Sequence, residues 1–275
     1  MPELPEVEYV RRLLRPVMAG SAIERVLTRR PNLRYPFGDD FATRLEGQTV
    51  LALTRRAKYL VAELSSGEAL VMHLGMSGWF RVIRKRAMAS GAADDAHDHV
   101  VFEMSSGAMV VFNDPRRFGF MKVMTREVMI GDRALSRLGP EPLDRAFTAD
   151  ALAAALKGRT AASLKAALLD QRVVAGLGNI YVCEALHRAR LSPKRRAATL
   201  VDRRGAPTPR ARALVEAIKA ALGDAIANRH RAGGSDRFLV YDHAGRRCPR
   251  RRCTGTIRRI VQAGRSTFFC PVCQR

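Results

Sequence analysis

Leu169-Asp170-Gln171-Arg172-Val173-Val174-Ala175-Gly176-Leu177-Gly178-Asn179-Ile180-Tyr181 joins two runs whose apolar residues recur at helical spacing, 161–169 before it and 180–189 after it. Gly176 and Gly178 make the join a turn that feeds a helix. Backbone N–H groups at such a helix start point outward without intrahelical partners, where they can hold a phosphate. A tight helix–helix turn with no ligand would use the same glycines. The basic surroundings, with Arg159 and Lys165 upstream, favour the phosphate. Further helical patterns at 151–156 and 210–227 extend the region into a bundle, and Gly139-Pro140-Glu141-Pro142 ahead of it marks a link between domains. The basic stretch 194–212, broken at Pro207 and Pro209, is expected to be an exposed connection.

Downstream, Cys248-x4-Cys253-x16-Cys270-x2-Cys273 sets two short cysteine pairs apart by a span long enough for a β-hairpin. This spacing suits a tetrahedral thiolate zinc site, and four ligands make it structural rather than catalytic. Two disulfides would use the same residues. Against them, the fifth cysteine, Cys183, stands apart, and no secretory signal points to an oxidising compartment. Cys183 reads as a buried helix residue. From His243 to Arg275 the chain holds nine arginines and no acid. Overall, 48 Lys and Arg against 26 Asp and Glu give a formal net charge of +22 and a pI of 11.1, the footprint of a polyanion binder. No run is long and apolar enough to span a membrane.

The first half has a different texture. Helical spacing of Val7, Val10, Leu13, Leu14 and Val17 predicts a helix over 5–18 with one buried face. Short apolar runs follow at 23–28, 49–55, 59–64, 69–73, 79–82, 100–104, 109–112 and 119–123, punctuated by Ser-Gly turns, as in the hairpins of a β-sandwich or barrel. The segment 87–95 reads as a loop.

Met1-Pro2-Glu3-Leu4-Pro5-Glu6 opens the chain. Once Met1 is removed, Pro2 carries a secondary amine, which condenses with a sugar C1′ to an iminium that is charged without protonation. The C2′ proton then becomes acidic and the 3′ phosphate can be eliminated. Glu3 and Glu6 are placed to move protons and orient the amine. Taken alone, the same residues make an ordinary helix start, with proline and acids in the first turn.

Two loops leave strands with unusual side chains, His73-Leu74-Gly75-Met76-Ser77-Gly78 and Asn113-Asp114-Pro115-Arg116-Arg117-Phe118-Gly119. Met, Arg and Phe on loop tips can wedge into a base stack and fill the gap left by an extruded nucleotide, although Met76 and Phe118 as isolated residues would suit a core. Lys58 reads as a phosphate contact or a solvated lysine. His97 and His99 alternate along a strand, but with no third metal ligand nearby DNA contact is the better reading.

Taken together, the opening Met1–Glu8, the Lys58 segment, 73–78, 113–119, 168–181 and the terminal Gly264-Arg265-Ser266-Thr267-Phe268-Phe269-Cys270-Pro271-x-Cys273-Gln274 resemble the formamidopyrimidine-DNA glycosylase family over nearly the whole chain. The resemblance implies an α+β fold in three parts: a catalytic β-sandwich with flanking helices over 1–135, a helix-two-turn-helix domain over 136–242 and a zinc finger over 243–275. It implies a bacterial, cytoplasmic, monomeric enzyme of base-excision repair that binds damaged double-stranded DNA and removes 8-oxoguanine and formamidopyrimidines with β,δ-elimination. Its cofactor would be one structural zinc ion on Cys248, Cys253, Cys270 and Cys273. Pro2 would be the Schiff-base nucleophile, Glu3 the acid that opens the sugar, and Glu6 a positioning group. Lys58 would serve β-elimination, and Arg265 δ-elimination. Met76, Arg116 and Phe118 would replace the extruded nucleotide, and His97, Arg159, Lys165 and Asn179 would grip phosphates.

The chain departs from the family pattern in two places. The first cysteine pair spans four residues where two are commoner, and either spacing closes a tetrahedron. Gly233-Gly234-Ser235 runs almost directly toward the finger, where relatives that favour 8-oxoguanine carry a longer loop over the everted base. The expectation is weaker 8-oxoguanine recognition than abasic-site cleavage. Two other readings stay open: an endonuclease VIII-like enzyme for oxidised pyrimidines, which the short loop suits and Leu4 and the Met76/Arg116/Phe118 set oppose, and a zinc-finger DNA-binding protein without catalysis.

Overall fold

A computed structural model describes residues 2–84, 95–230 and 238–275, without the side chains at 229 and 230. The expected loop, apart from Asp95, and the short Gly233 to Arg237 segment lie outside the described residues, as does Met1. The chain divides into two units, Met1–Ser136 and Arg137–Arg275.

The first unit begins with helix α1 (Leu4–Met18), which buries Val7, Val10, Leu14 and Val17 along one face. Pro5 lies in its first turn, where a missing N–H breaks no helical bond. Strands β1 (Ile23–Thr28), β5 (Trp79–Arg84), β6 (Asp98–Met104) and β7 (Ala108–Asn113) form one antiparallel sheet in the order β1-β6-β7-β5. The second sheet has the order β2-β3-β4-β8, from β2 (Val50–Arg56), β3 (Tyr59–Leu64), β4 (Glu68–His73) and β8 (Phe120–Thr125). Leu60, Leu70 and Met72 from one sheet and Phe102, Val110 and Phe112 from the other share a core with Val10 and Leu14 of α1. The arrangement is the sandwich alternative of the two the hairpin pattern allowed. Helix α2 (Phe41–Leu45), α3 (Arg126–Gly131) and α4 (Arg133–Ser136) were not foreseen, because four to six residues are too few to show a helical period.

In the second unit, α5 (Ala149–Ala155) and α6 (Leu164–Leu169) start on side-chain caps, Thr148 Oγ1 accepting from Ala151 N–H and Ser163 Oγ from Ala166 N–H, both at 3.2 Å. The 169–181 turn leads into α7 (Asn179–Arg188), and α8 (Pro209–His230) follows. A hairpin of β9 (Arg258–Gln262) and β10 (Arg265–Phe269) closes the unit. Cys183, 1% exposed on α7, packs against Ile257, Phe268 and the cysteines of the hairpin.

The 194–212 stretch is mostly exposed, as expected, but it is pinned to the unit: a 3-10 turn at Ala197–Leu200 buries Ala197 and Leu200 completely, and Ser163 and Val201 bridge to Arg196 and Pro207. Pro209 begins α8 rather than breaking a helix. Gly139-Pro140 likewise docks on the second unit: Gly139 N–H donates to Gln171 O at 2.8 Å, Pro140 O accepts from Ala175 N–H at 3.1 Å, and a Cβ on Gly139 would lie 2.5 Å from Arg172 O.

Candidate active site and nucleic-acid interface

Strand register gathers the first unit's candidate residues. Tyr59 pairs with His73, and His73 with Phe120, so one end of the second sheet carries a row of three rings. The His73 and Phe120 rings stack at 5.4 Å and 13°, with Tyr59 5.0 Å from His73. The Lys58 turn precedes this row, the 74–78 loop leaves it, and the 114–119 loop enters it. All three therefore share that end of the sheet. Burial, helped by the Lys58 and Arg34 cations, pushes His73 down to about 4, so the ring is neutral at pH 7 and its Nδ1 accepts the Gly75 N–H at 3.0 Å.

The two loops are fastened together through Asp114, which is fully buried. Its carboxylate accepts from Ser77 Oγ at 2.6 Å and from Gly119 N–H at 2.7 Å, and Ser77 Oγ in turn accepts from the Arg116 N–H at 3.2 Å. The Asp114 N–H donates to His97 O at 3.0 Å, and its own carbonyl lies 3.0 Å from His99 Nε2. Gly75 completes the closure: its φ is +63°, and a Cβ there would lie 2.3 Å from the Phe118 carbonyl carbon. On this frame Met76 and Phe118 are both 41% exposed, against their simplest individual reading as core, and the Arg116 guanidinium lies 5.1 Å from the Phe118 ring centroid. His97 is exposed while His99 is buried, and among the described residues no third ligand joins them in a metal cluster.

Helix α1 packs on β2: its Glu8, reached by Arg11, Arg12 and Arg55, pairs with the end of β2, where Arg55 Nη1 donates to Ala57 O at 2.9 Å just ahead of Lys58. Burial opposes ionisation of Glu8, but hydrogen bonds from Arg11 and Arg12 and the charges of Arg11 and Arg55 hold it at about 2. Glu3, 1% exposed, caps α1 in a reciprocal box with Glu6: its side chain takes the Glu6 N–H, and its own N–H donates to Glu6 Oε2 at 2.6 Å. Pro2 immediately precedes this buried carboxylate.

The second unit places its candidates differently from one another. Lys165 is fully buried, with Nζ 2.9 Å from Ser266 O and 2.6 Å from Thr267 Oγ1, and Asn179 Nδ2 donates to the same Ser266 carbonyl at 3.0 Å. This corrects the reading of Lys165 as a phosphate ligand: its ammonium is spent inside the protein, fixing the strand that begins at Arg265. Arg265 itself is exposed. Arg159 Nε donates to Asp170 Oδ2 at 2.7 Å, where Arg172 also pairs, so it reaches the surface as part of an ion-pair cluster. Within the turn, Gln171 accepts from Gly176 N–H at 2.9 Å and donates to Leu177 O at 2.8 Å, so one of the expected free N–H groups is already used.

The four hairpin cysteines place their Sγ atoms within 4.8 Å of one another, with Cys248–Cys273 at 3.8 Å and Cys253–Cys270 at 3.6 Å. Zn–S bonds of about 2.3 Å in a tetrahedron set sulfurs about 3.8 Å apart, so the thiols fit one structural zinc ion. His187 Nε2 lies 3.4 Å from Cys248 Sγ, a second-sphere contact. Sequence reading missed Asp114, Gln171 and His187. Asp114 had a signal in its Asn-Asp-Pro turn, whereas Gln171 and His187 carry no spacing that marks them.

Residues 1–121 match the family model of the formamidopyrimidine-DNA glycosylase N-terminal domain, 138–235 that of its H2TH domain, and 245–275 that of the zinc finger found in FPG and IleRS. The chain is 57% identical to a formamidopyrimidine-DNA glycosylase of Rhodopseudomonas palustris strain HaA2, with all of both chains covered. That alignment runs over 297 positions against 275 residues here, so at least 22 positions are gaps in this chain. Among solved structures, it is similar to Lactococcus lactis formamidopyrimidine-DNA glycosylase non-covalently bound to AP-site DNA, at 30% identity and TM-score 0.84 with both chains fully covered. It is equally similar to MutM in complex with DNA containing carbocyclic 8-oxo-G, at 31% identity and TM-score 0.85 over all of both chains.

Proposed function

The chain belongs to the formamidopyrimidine-DNA glycosylase family and is a DNA glycosylase of base-excision repair, and from that premise we propose that it removes oxidised purines, 8-oxoguanine and formamidopyrimidines, and cleaves the strand on both sides of the abasic sugar. The observation that carries this reading is the buried Glu3 carboxylate at the start of α1, directly after Pro2, on the helix whose Glu8 pairs with Arg55 of β2.

After removal of Met1, the Pro2 nitrogen lone pair forms a bond to C1′ as the C1′–N bond to the damaged base breaks and the base leaves with a proton. Glu3 protonates O4′, the sugar ring opens, and the C1′–N bond becomes the iminium. Loss of the C2′ proton expels the 3′ phosphate, assisted by Lys58. A second elimination, served by Arg265, expels the 5′ phosphate. Met76, Arg116 and Phe118 occupy the space the extruded nucleotide leaves, and the Asp114 frame ties together the two loops that present them. His97, Arg159 and the 176–179 turn contact phosphates. Cys248, Cys253, Cys270 and Cys273 would hold one structural zinc ion, which would order the hairpin that bears Arg265. The enzyme acts as a monomer in the cytoplasm.

A duplex bearing one 8-oxoguanine tests the reading. The expected product is a one-nucleotide gap with phosphate on both ends. Base release that leaves the strand intact, or cleavage only of oxidised pyrimidines, would contradict it.

A further inference from the structure

Beyond the residues already placed at the reacting end of the second sheet, one exposed cluster of cations and rings has no assigned role. Tyr35 is 42% exposed and packs edge-on against Phe120, with ring centroids 5.6 Å apart. Lys122 Nζ lies 4.9 Å and the Arg34 guanidinium carbon 5.4 Å from the Tyr35 centroid, and Lys122 is also 5.8 Å from Phe120. Both cations are exposed, and neither forms an ion pair with a described residue. By contrast, Arg11, Arg12, Arg44, Arg55 and Arg81 in the same unit are all matched by carboxylates.

The cluster is rigidly registered to the site. Arg34 N–H donates to Gly119 O at 3.0 Å, which anchors the 31–37 segment to the loop that carries Arg116 and Phe118. Phe120, its backing ring, stacks on His73, and His73 feels the charges of both Lys58 and Arg34. The Lys58 turn, the base-replacing loops and the Tyr35 cluster therefore lie on one continuous surface of a single unit. Cation–π contact holds two long side chains in place without neutralising them, which leaves their charge available to an anion.

We propose that Arg34, Tyr35 and Lys122 form an additional DNA-binding site that grips phosphodiesters flanking the lesion. Two uncompensated cations match two phosphates of a polyanion that the same surface already handles, and Tyr35 sets their spacing. The proposal rests on the family's DNA binding but not on Pro2 chemistry, so its test uses binding alone.

The test measures the salt dependence of binding to a duplex holding a stable abasic-site analogue, for the wild type and for Arg34→Gln/Lys122→Gln. Each phosphate contact contributes about 0.9 to the slope of log K against log salt, so the double variant is expected to lose about 1.8, and Lys122→Gln alone about 0.9. Tyr35→Leu is expected to weaken binding several-fold by releasing both cations. Trimming the duplex from one end should bring the wild-type slope down to that of the double variant. A wild-type slope in a variant that melts normally would overturn the proposal, as would a reduced slope that trimming neither end reproduces. If the double variant folds poorly, the single Lys122→Gln slope decides.

Discussion

Glu8 shows how much a single charge can depend on its neighbours. It is held at about 2 against an ordinary 4.5, so the folded state binds fewer protons than the unfolded chain between those values. Its contribution is therefore complete above pH 4.5 and is lost as pH falls toward 2. On linkage grounds that contribution is about 3 kcal/mol. Acid unfolding followed by circular dichroism should show this loss in the wild type and a much flatter profile in Glu8→Gln; superimposable profiles would remove Glu8 from the account. Lys165 makes the complementary point. Charge was visible in the sequence but burial was not, so a lysine that ties β10 to α6 read as a phosphate ligand. Replacing it with Met should lower the stability of the second unit by about 1–3 kcal/mol, the scale of leaving buried partners unsatisfied, and thermal melting checks that. Met76 and Phe118 show the reverse: apolar character alone would suit a core, whereas their loop context pointed outward, and both are 41% exposed.

At the scale of elements, the long pieces were legible and the short ones were not. The face of α1, most strands and the runs that became α6 and α7 showed clear periods, while α2, α3 and α4 had too few residues to do so. Pairing was also invisible, since no local pattern says that Tyr59, His73 and Phe120 will lie side by side. The frame joining the two site loops is the functional consequence. Ser77→Ala removes one donor to Asp114 and one acceptor for Arg116 N–H, and should weaken lesion binding while leaving the fold intact, because each such bond is worth about 1 kcal/mol. Gly75→Ala should be far worse, since its φ is positive and no room exists for a Cβ. Comparing dissociation constants of the two variants on one lesion duplex tests the ranking. The hairpin depends on its metal in the same way: a chelator should release zinc, unfold β9–β10 and abolish DNA binding, and added zinc should restore it. Binding that survives complete zinc loss would contradict the structural role.

Across the whole molecule, net charge and the cysteine spacing pointed to a zinc-bearing polyanion binder, and the loop motifs identified the family. What composition could not supply was the packing of the finger against α7 within the second unit. The alignment with its relative leaves 22 positions empty in this chain, and Gly233-Gly234-Ser235 leaves little sequence where a base-covering loop would stand. Excision of 8-oxoguanine is therefore expected to be weakened more than cleavage at a preformed abasic site, and an undiminished preference for 8-oxoguanine on matched duplexes would show otherwise. The central claim concerns the amine that Met1 removal exposes at Pro2. Borohydride added during reaction with lesion-bearing DNA should reduce the iminium and leave protein and strand covalently joined, and Pro2→Gly combined with Glu3→Gln should abolish the product. No trapped species from the processed wild type, or undiminished trapping in the double variant, would contradict the account.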